Sequence, residues 1–246
     1  MTFREKLRRK DRLIGTLLTL DCPEVAEILS RCGFDWLFLD LEHSAMGPRE
    51  AQGLLQAVGD RSPVLIRVES GDEEGIRKAL DCGADGIIVP HVNSAGEAER
   101  VVSLAKYPPE GTRSIGPGRA SDFGNNMAHY VSRANGETAV VVQIEHIDAV
   151  EEVEKIAAVE GLDALFVGPY DLSGSMGKPG KVDDPGVLEA IDRTLDAAEA
   201  NHLAAGIFTG SAEESLSYLA KGFTLIAIAA DTILLGGAAV SLLKRF

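Results

Sequence analysis

What most constrains this chain is a recurrence. Eight short apolar runs, at residues 14–20, 36–40, 64–68, 86–90, 139–145, 164–168, 204–208 and 225–229, are separated by amphipathic stretches. The runs lack the polar and apolar alternation of a strand with one wet face. Each therefore reads as a strand buried on both faces, the condition of parallel strands covered by helices. Eight such units predict a closed (β/α)8 barrel, and the 246 residues available match the roughly 250 that one barrel takes. A doubly wound open sheet is the competing architecture, but the chain has no N-terminal GxGxxG and an open sheet would leave edges to cover. The expectation is one α/β barrel domain over residues 1–246.

Helix signals fall between the runs. Ser94-x-x-Glu97 and Ser211-x-x-Glu214 have capping-box spacing, and Pro185 after Asp184 suits a first helical position. Gly33, Gly83 and Gly222 stand where helices would end on a left-handed residue. Two intervals break the rhythm: 107–137, rich in Gly, Pro, Asn and Arg, and the Gly-Lys-Pro segment 169–184. Both read as long βα loops, which in barrels usually carry function.

A formal net charge of −14 argues against nucleic acid or an anionic membrane as partner, because either needs clustered Lys and Arg. Small molecules are the expected partners. The opening MTFREKLRRKDRLIG is charged throughout, and no apolar stretch is long enough to span a bilayer. Cys22, Cys32 and Cys82 are odd in number and lack CxxC spacing, so neither a disulfide framework nor a zinc knuckle is expected. The reading is a soluble protein of the reduced cytoplasm.

Barrels place reactive groups where strands end at the C-terminal face. The polar residues there are Asp40, Glu42 and His43 after the second run, Arg67 in the third, His91 after the fourth, Gln143 and Glu145 at the fifth, Asp171 after the sixth and Asp231 after the eighth. Glu145 and Asp171 follow neighbouring strands, so their carboxylates can converge on one hard cation such as Mg²⁺ or Mn²⁺. His43 is placed to act as a general base. Arg67 interrupts an apolar run, and a guanidinium buried there demands an anion, either substrate or a barrel carboxylate. His129 and His202 read as surface residues, while His91 and His146 lie near strand ends without a clear direction. A Schiff-base mechanism would need a lysine at an apolar strand end; the candidates Lys78, Lys106, Lys155, Lys178, Lys181 and Lys221 fall near helices or in a loop. A metal route is favoured, and no organic cofactor is expected.

Six ordered segments, GFDWLFLDLEHS, RVES, GADGIIVPHVNSAGEA, YPPEGTRSIGPGRAS, VVVQIEH and GLDALFVGPYDLSGSMG, resemble the HpcH/HpaI aldolase family over nearly the whole chain. The resemblance implies reversible cleavage of a 4-hydroxy-2-oxo acid to pyruvate and an aldehyde with a divalent metal, Mg²⁺, Mn²⁺ or Co²⁺. It implies that Glu145 and Asp171 bind the metal, that Gln143 and the backbone at Tyr170 and Asp171 contact the oxo acid, and that His43 is the base. By the same resemblance Asp81 partners His43 and Arg67 stabilises negative charge. It further implies a homohexamer with exchanged C-terminal helices, which suits the apolar tail from Thr232 to Phe246. The chain departs from the usual pattern at Tyr170, where many relatives are small, and at His146, where threonine is frequent. A distal carboxylate of the substrate is assigned to Arg113 and Arg119 on charge alone. Two other readings remain: a related metal-dependent lyase or decarboxylase acting on oxaloacetate or a CoA thioester, and a catalytically silent binding barrel.

Overall fold

The computed structural model describes every residue from Met1 to Phe246. Eight parallel strands close a barrel in chain order: β1 (Leu13–Leu18), β2 (Trp36–Asp40), β3 (Val64–Arg67), β4 (Gly86–Val89), β5 (Ala139–Ile144), β6 (Ala164–Val167), β7 (Ala204–Thr209) and β8 (Leu225–Ala230). Each lies on one of the apolar runs, with ends displaced by no more than two residues. β1 pairs with both β2 and β8, so the sheet has no edge. Helix α1 (Phe3–Arg8) precedes the first strand. Around the barrel follow α2 (Pro23–Ser30), α3 (Pro48–Val58), α4 (Glu73–Asp81), α5 (Ala95–Ala105), α6 (Met127–Glu137), α7 (Ile147–Glu151), α8 (Val153–Ala157), α9 (Pro169–Ser175), α10 (Pro185–Ala200), α11 (Ala212–Lys221) and α12 (Asp231–Leu243). No helix is long and apolar enough to cross a membrane.

The strands divide two cores by their period of two. On β2, Leu37 and Leu39 join the large cluster between strands and helices, whereas Trp36 and Phe38 join the smaller cluster inside the barrel. Phe3, Trp36, Phe38 and Phe166 succeed one another through that interior at centroid spacings of 6.0, 5.7 and 5.6 Å. Gly15 makes room for the indole, because a β-carbon there would overlap the Trp36 ring. Phe3 and Leu7 of α1 therefore close the barrel from its N-terminal face. Buried Asp163 pins that helix, accepting from Arg4 Nε at 2.8 Å and Arg8 Nε at 3.0 Å.

Ser94, Asp184 and Ser211 cap their helices by accepting from the backbone N–H of Glu97, Gly186 and Glu214. Gly33, Gly83 and Gly222 have φ of 94°, 92° and 121°, as helix termini of this kind require. The interval 107–137 corrects the sequence reading. It follows α5 and precedes β5, contains α6, and so belongs to the N-terminal rim, where helices return to strand starts. Arg113 is buried there between the Tyr107 and Tyr130 rings and donates to Asp81 Oδ1 at 2.8 Å. Arg119 donates to Cys82 O. Neither arginine is available within the chain to hold substrate at the opposite face. Lys106 lies on the same rim, buried, with its ammonium donating to the carbonyls of Asn135 and Thr138. Burial, then the nearby Arg4 charge, pushes its pKa down to about 8.

Candidate active site at the C-terminal face

A cavity of about 260 Å³ opens where the strands end, with Leu17, Phe38 and Phe166 among its apolar residues and Asp40, His43, Arg67, Gln143 and Asp171 among its polar ones. Strand register builds its charged floor. β2 and β3 pair with Asp40 opposite Arg67, so the two side chains rise side by side. Arg67 Nε meets Asp40 Oδ1 at 2.8 Å and Nη2 meets Oδ2 at 2.7 Å, the two-pronged geometry that only a guanidinium fork supplies. The anion demanded by buried Arg67 is thus a barrel carboxylate. Burial alone would pull Arg67 down, but the Asp40 hydrogen bonds and the charges of Asp40, Glu42 and Glu145 outweigh it and hold the guanidinium above its usual value. Asp40 Oδ1 also accepts from the backbone of Glu42 and His43, which folds the segment after β2 inward.

That turn presents Glu42 and His43 to the cavity mouth. Glu42 Oε2 lies 3.0 Å from Arg67 Nη1 but without hydrogen-bond alignment. Burial raises the Glu42 carboxyl above its ordinary range, against the pull of Arg67. His43 is exposed, lines the cavity and places Nε2 3.9 Å from Glu42 Oε2.

Glu145 and Gly168 follow β5 and β6 side by side, since Ile144 pairs with Val167. Glu145 is only 2% exposed. Its Oε2 accepts from the Gln143 amide and its Oε1 from the His91 backbone at 2.7 Å. A β-carbon on Gly168 would come within 3.0 Å of the Glu145 carboxylate, so glycine is needed for the two chains to pass. Asp171, in the first turn of α9, is exposed and lines the cavity beside Gly168, Pro169 and Tyr170. Tyr170 stands at the lip, with its ring 6.3 Å from that of Phe208.

The structure gathers His43, Arg67, Gln143, Tyr170 and Asp171 around one cavity, with Glu145, just past the end of β5, hydrogen-bonded to Gln143. It does not bring Asp81 to them. Asp81 ends α4, an element antiparallel to the strands, and so lies at the N-terminal rim bonded to Arg113; the expected pairing with His43 is absent within the chain. The side chains whose ligand atoms cluster most tightly are Glu42, His91 and Glu145, all within 4.8 Å of one another, and Asp171 is outside that group. Sequence reasoning placed Asp40, Glu42 and His91 at strand ends but gave them no role. The one available signal was Asp40 and Glu42 flanking a single residue, two acids turned the same way at one strand end. His146 turns away and accepts from the Asp148 backbone through Nδ1 as the cap of α7.

The model of one protein family, HpcH/HpaI aldolase/citrate lyase, matches residues 14–237. A hydroxypyruvate/pyruvate aldolase of Pseudomonas aeruginosa is 39% identical over 249 residues, covering 99% of this chain and 92% of its own length. A 4-hydroxy-2-oxovalerate aldolase of Rhodococcus jostii is 36% identical, with 100% and 95% covered. The crystal structure of an HpcH/HpaI aldolase/citrate lyase family protein from Burkholderia cenocepacia superposes with a TM-score of 0.95 at 35% identity, covering 98% of this chain and 97% of that one.

Proposed function

Because the chain belongs to the HpcH/HpaI aldolase/citrate lyase family, we propose that it is a metal-dependent carbon–carbon lyase. It would cleave a 4-hydroxy-2-oxo acid reversibly to pyruvate, or a close 2-oxo acid, and an aldehyde. The observation that carries this reading is Glu145. It is a carboxylate almost wholly buried beside the cavity, and no lysine or arginine lies within ion-pair distance of it; its one such contact is His91. A buried anion without a cationic partner is costly, and an oxygen-ligated divalent cation satisfies it. The donor set fits such an ion, with Glu145 and Asp171 as the assigned ligands. What Mg²⁺, Mn²⁺ or Co²⁺ would supply there is Lewis-acid compensation for charge developing on the 2-oxo oxygen as C3–C4 breaks.

The chain's own residues do the rest. His43, exposed at the mouth, takes the proton of the C4 hydroxyl on cleavage and returns it on synthesis. Arg67 offers positive charge fixed by Asp40 to the oxygen that becomes a carbonyl. Gln143 and the backbone at Tyr170 and Asp171 orient the oxo acid, while Phe38 and Phe166 exclude water beneath it. The relatives named as aldolases acting on pyruvate, hydroxypyruvate or 4-hydroxy-2-oxovalerate support this substrate class.

Exchange of the pyruvate methyl protons in D₂O tests the chemistry without a choice of aldehyde. Proton loss followed by NMR is expected with Mg²⁺ or Mn²⁺ and is abolished by excess EDTA and by Asp171→Ala. No exchange with any divalent metal would remove pyruvate as the nucleophile, and full exchange by Asp171→Ala would remove the ligand assignment. We also propose that α12 is exchanged between subunits of a hexamer. In support, Leu235, Val240, Leu242 and Leu243 are more than half exposed on the isolated chain. Three unpaired thiols support a reducing compartment such as the cytoplasm.

A further inference from the structure

We infer that Thr19 selects the aldehyde partner, favouring one that carries a hydroxyl beyond its carbonyl carbon over an alkyl aldehyde or a semialdehyde ending in a carboxylate. The inference rests on the aldolase reading above and names the substrate class of that same site.

Thr19 follows β1 and lines the cavity. Leu13 and Leu17 of β1 belong to the cluster inside the barrel, so the period of two turns Thr19 inward above them. Sheet register sets its level. Leu18 pairs with Leu39 and Asp40 with Arg67, which puts Thr19, Asp40 and Arg67 in one row across β1, β2 and β3. At the backbone Thr19 thus stands two strand spacings, about 10 Å, from Arg67. In the proposed reaction the aldehyde oxygen meets Arg67 and His43, and the substituent on the aldehyde carbon extends along that row towards Thr19.

What holds the Thr19 hydroxyl decides its chemistry. Oγ1 donates to Asp231 Oδ1 at 2.6 Å. Asp231 is buried and also accepts from the backbone N–H of Thr19, Leu20 and Thr232, so its carboxylate is fixed in place. A threonine hydroxyl has one proton and two lone pairs. With the proton spent on Asp231, only lone pairs remain for the cavity. Such a group accepts from a substrate O–H and offers nothing to a substrate carboxylate, which would also face the Asp231 charge behind it. Arg67 is the only lysine or arginine that lines the cavity, and its fork is held by Asp40, so a distal carboxylate finds no free cation there. A hydroxylated aldehyde satisfies both conditions.

The test is aldol addition of pyruvate to glyceraldehyde, propionaldehyde and succinic semialdehyde by the full chain with Mn²⁺, read as kcat/KM for each aldehyde. Wild type is expected to favour glyceraldehyde and to use succinic semialdehyde least. The ratio of glyceraldehyde to propionaldehyde, compared between variants, cancels the aldehydes' own reactivities. Thr19→Val keeps the shape and the backbone bonds to Asp231 but loses the hydroxyl, and it is expected to lower that ratio about tenfold or more. Thr19→Ser restores the hydroxyl and keeps the ratio. An unchanged ratio in Thr19→Val overturns the inference, as does a wild type that favours succinic semialdehyde, an outcome that decides the matter even if the valine variant does not fold. Either result with pyruvate methyl exchange intact in wild type leaves the aldolase reading standing; wild type that exchanges no pyruvate protons removes that reading and the inference with it.

Discussion

Arg67 illustrates how one residue couples stability to chemistry. Its fork is committed to Asp40 by two hydrogen bonds, and its remaining terminal nitrogen faces Glu42 and Gln143. The guanidinium thus reaches the cavity already fixed, as its proposed role in meeting developing charge requires. Arg67→Met would leave Asp40 buried and unpaired, and breaking a buried pair by removing one partner costs about 3–5 kcal/mol. We expect a loss of that order in urea unfolding of the metal-free protein. Arg67→Lys retains the charge but not the fork, so it should lose less stability yet still depress the pyruvate exchange rate at saturating pyruvate. A methionine variant as stable as wild type would mean that Asp40 accommodates its own burial without the arginine.

Among the elements, the junction of α5 with β5 carries a titrating group far from the cavity. Lys106 is buried where α5 ends and donates to two carbonyls of the chain entering β5. Its folded pKa lies near 8, against 10.5 for the free side chain. Below pH 8 both folded and unfolded states hold the proton, and the cost of burying the ammonium is fully present. Between pH 8 and 10.5 the unfolded state holds the proton more tightly, so this group makes stability rise with pH. The full span corresponds to about 3 kcal/mol. The difference in unfolding free energy between wild type and Lys106→Met should therefore shift in favour of wild type over that window. A constant difference would show that the amine is as well solvated as in the unfolded chain. Lys106 lies on the opposite rim from the cavity, so its depressed pKa is not that of a Schiff-base lysine.

The whole molecule leaves one surface unresolved by its own contacts. α12 begins where Asp231 accepts from the backbone of Thr19 and Leu20 and from the Thr19 hydroxyl, which ties its start to the cavity wall. Beyond that anchor it presents leucines and valine to solvent, an apolar patch that monomers seldom leave open. If the helix is exchanged in a hexamer, Leu235→Asp with Leu242→Asp should yield a smaller species by light scattering. Circular dichroism should be retained, because neither side chain contributes to the barrel core. A wild-type chain that is monomeric at micromolar concentration would remove the exchange.

The sequence by itself determined the barrel. Strands buried on both faces need uninterrupted apolar runs, eight of them are visible, and glycines mark helix ends through a local requirement for positive φ. The strand ends that meet at the cavity were legible for the same reason, because Glu145 and Arg67 are charged residues where a strand pattern allows none. Tertiary structure alone decided which of them meet. Asp40 and Arg67 are paired by sheet register, a relation between strands that no window of sequence contains. His91 reaches Glu145 and Glu42 through a left-handed turn whose only local trace is a histidine after proline. Asp81, paired with His43 by resemblance alone, lies within the chain on the opposite rim bonded to Arg113, a placement that follows from the antiparallel return of each helix and that no local spacing reveals. The plug formed by α1 was equally invisible, since Phe3 and Leu7 look like any amphipathic pair until Trp36 and Asp163 are brought beneath them.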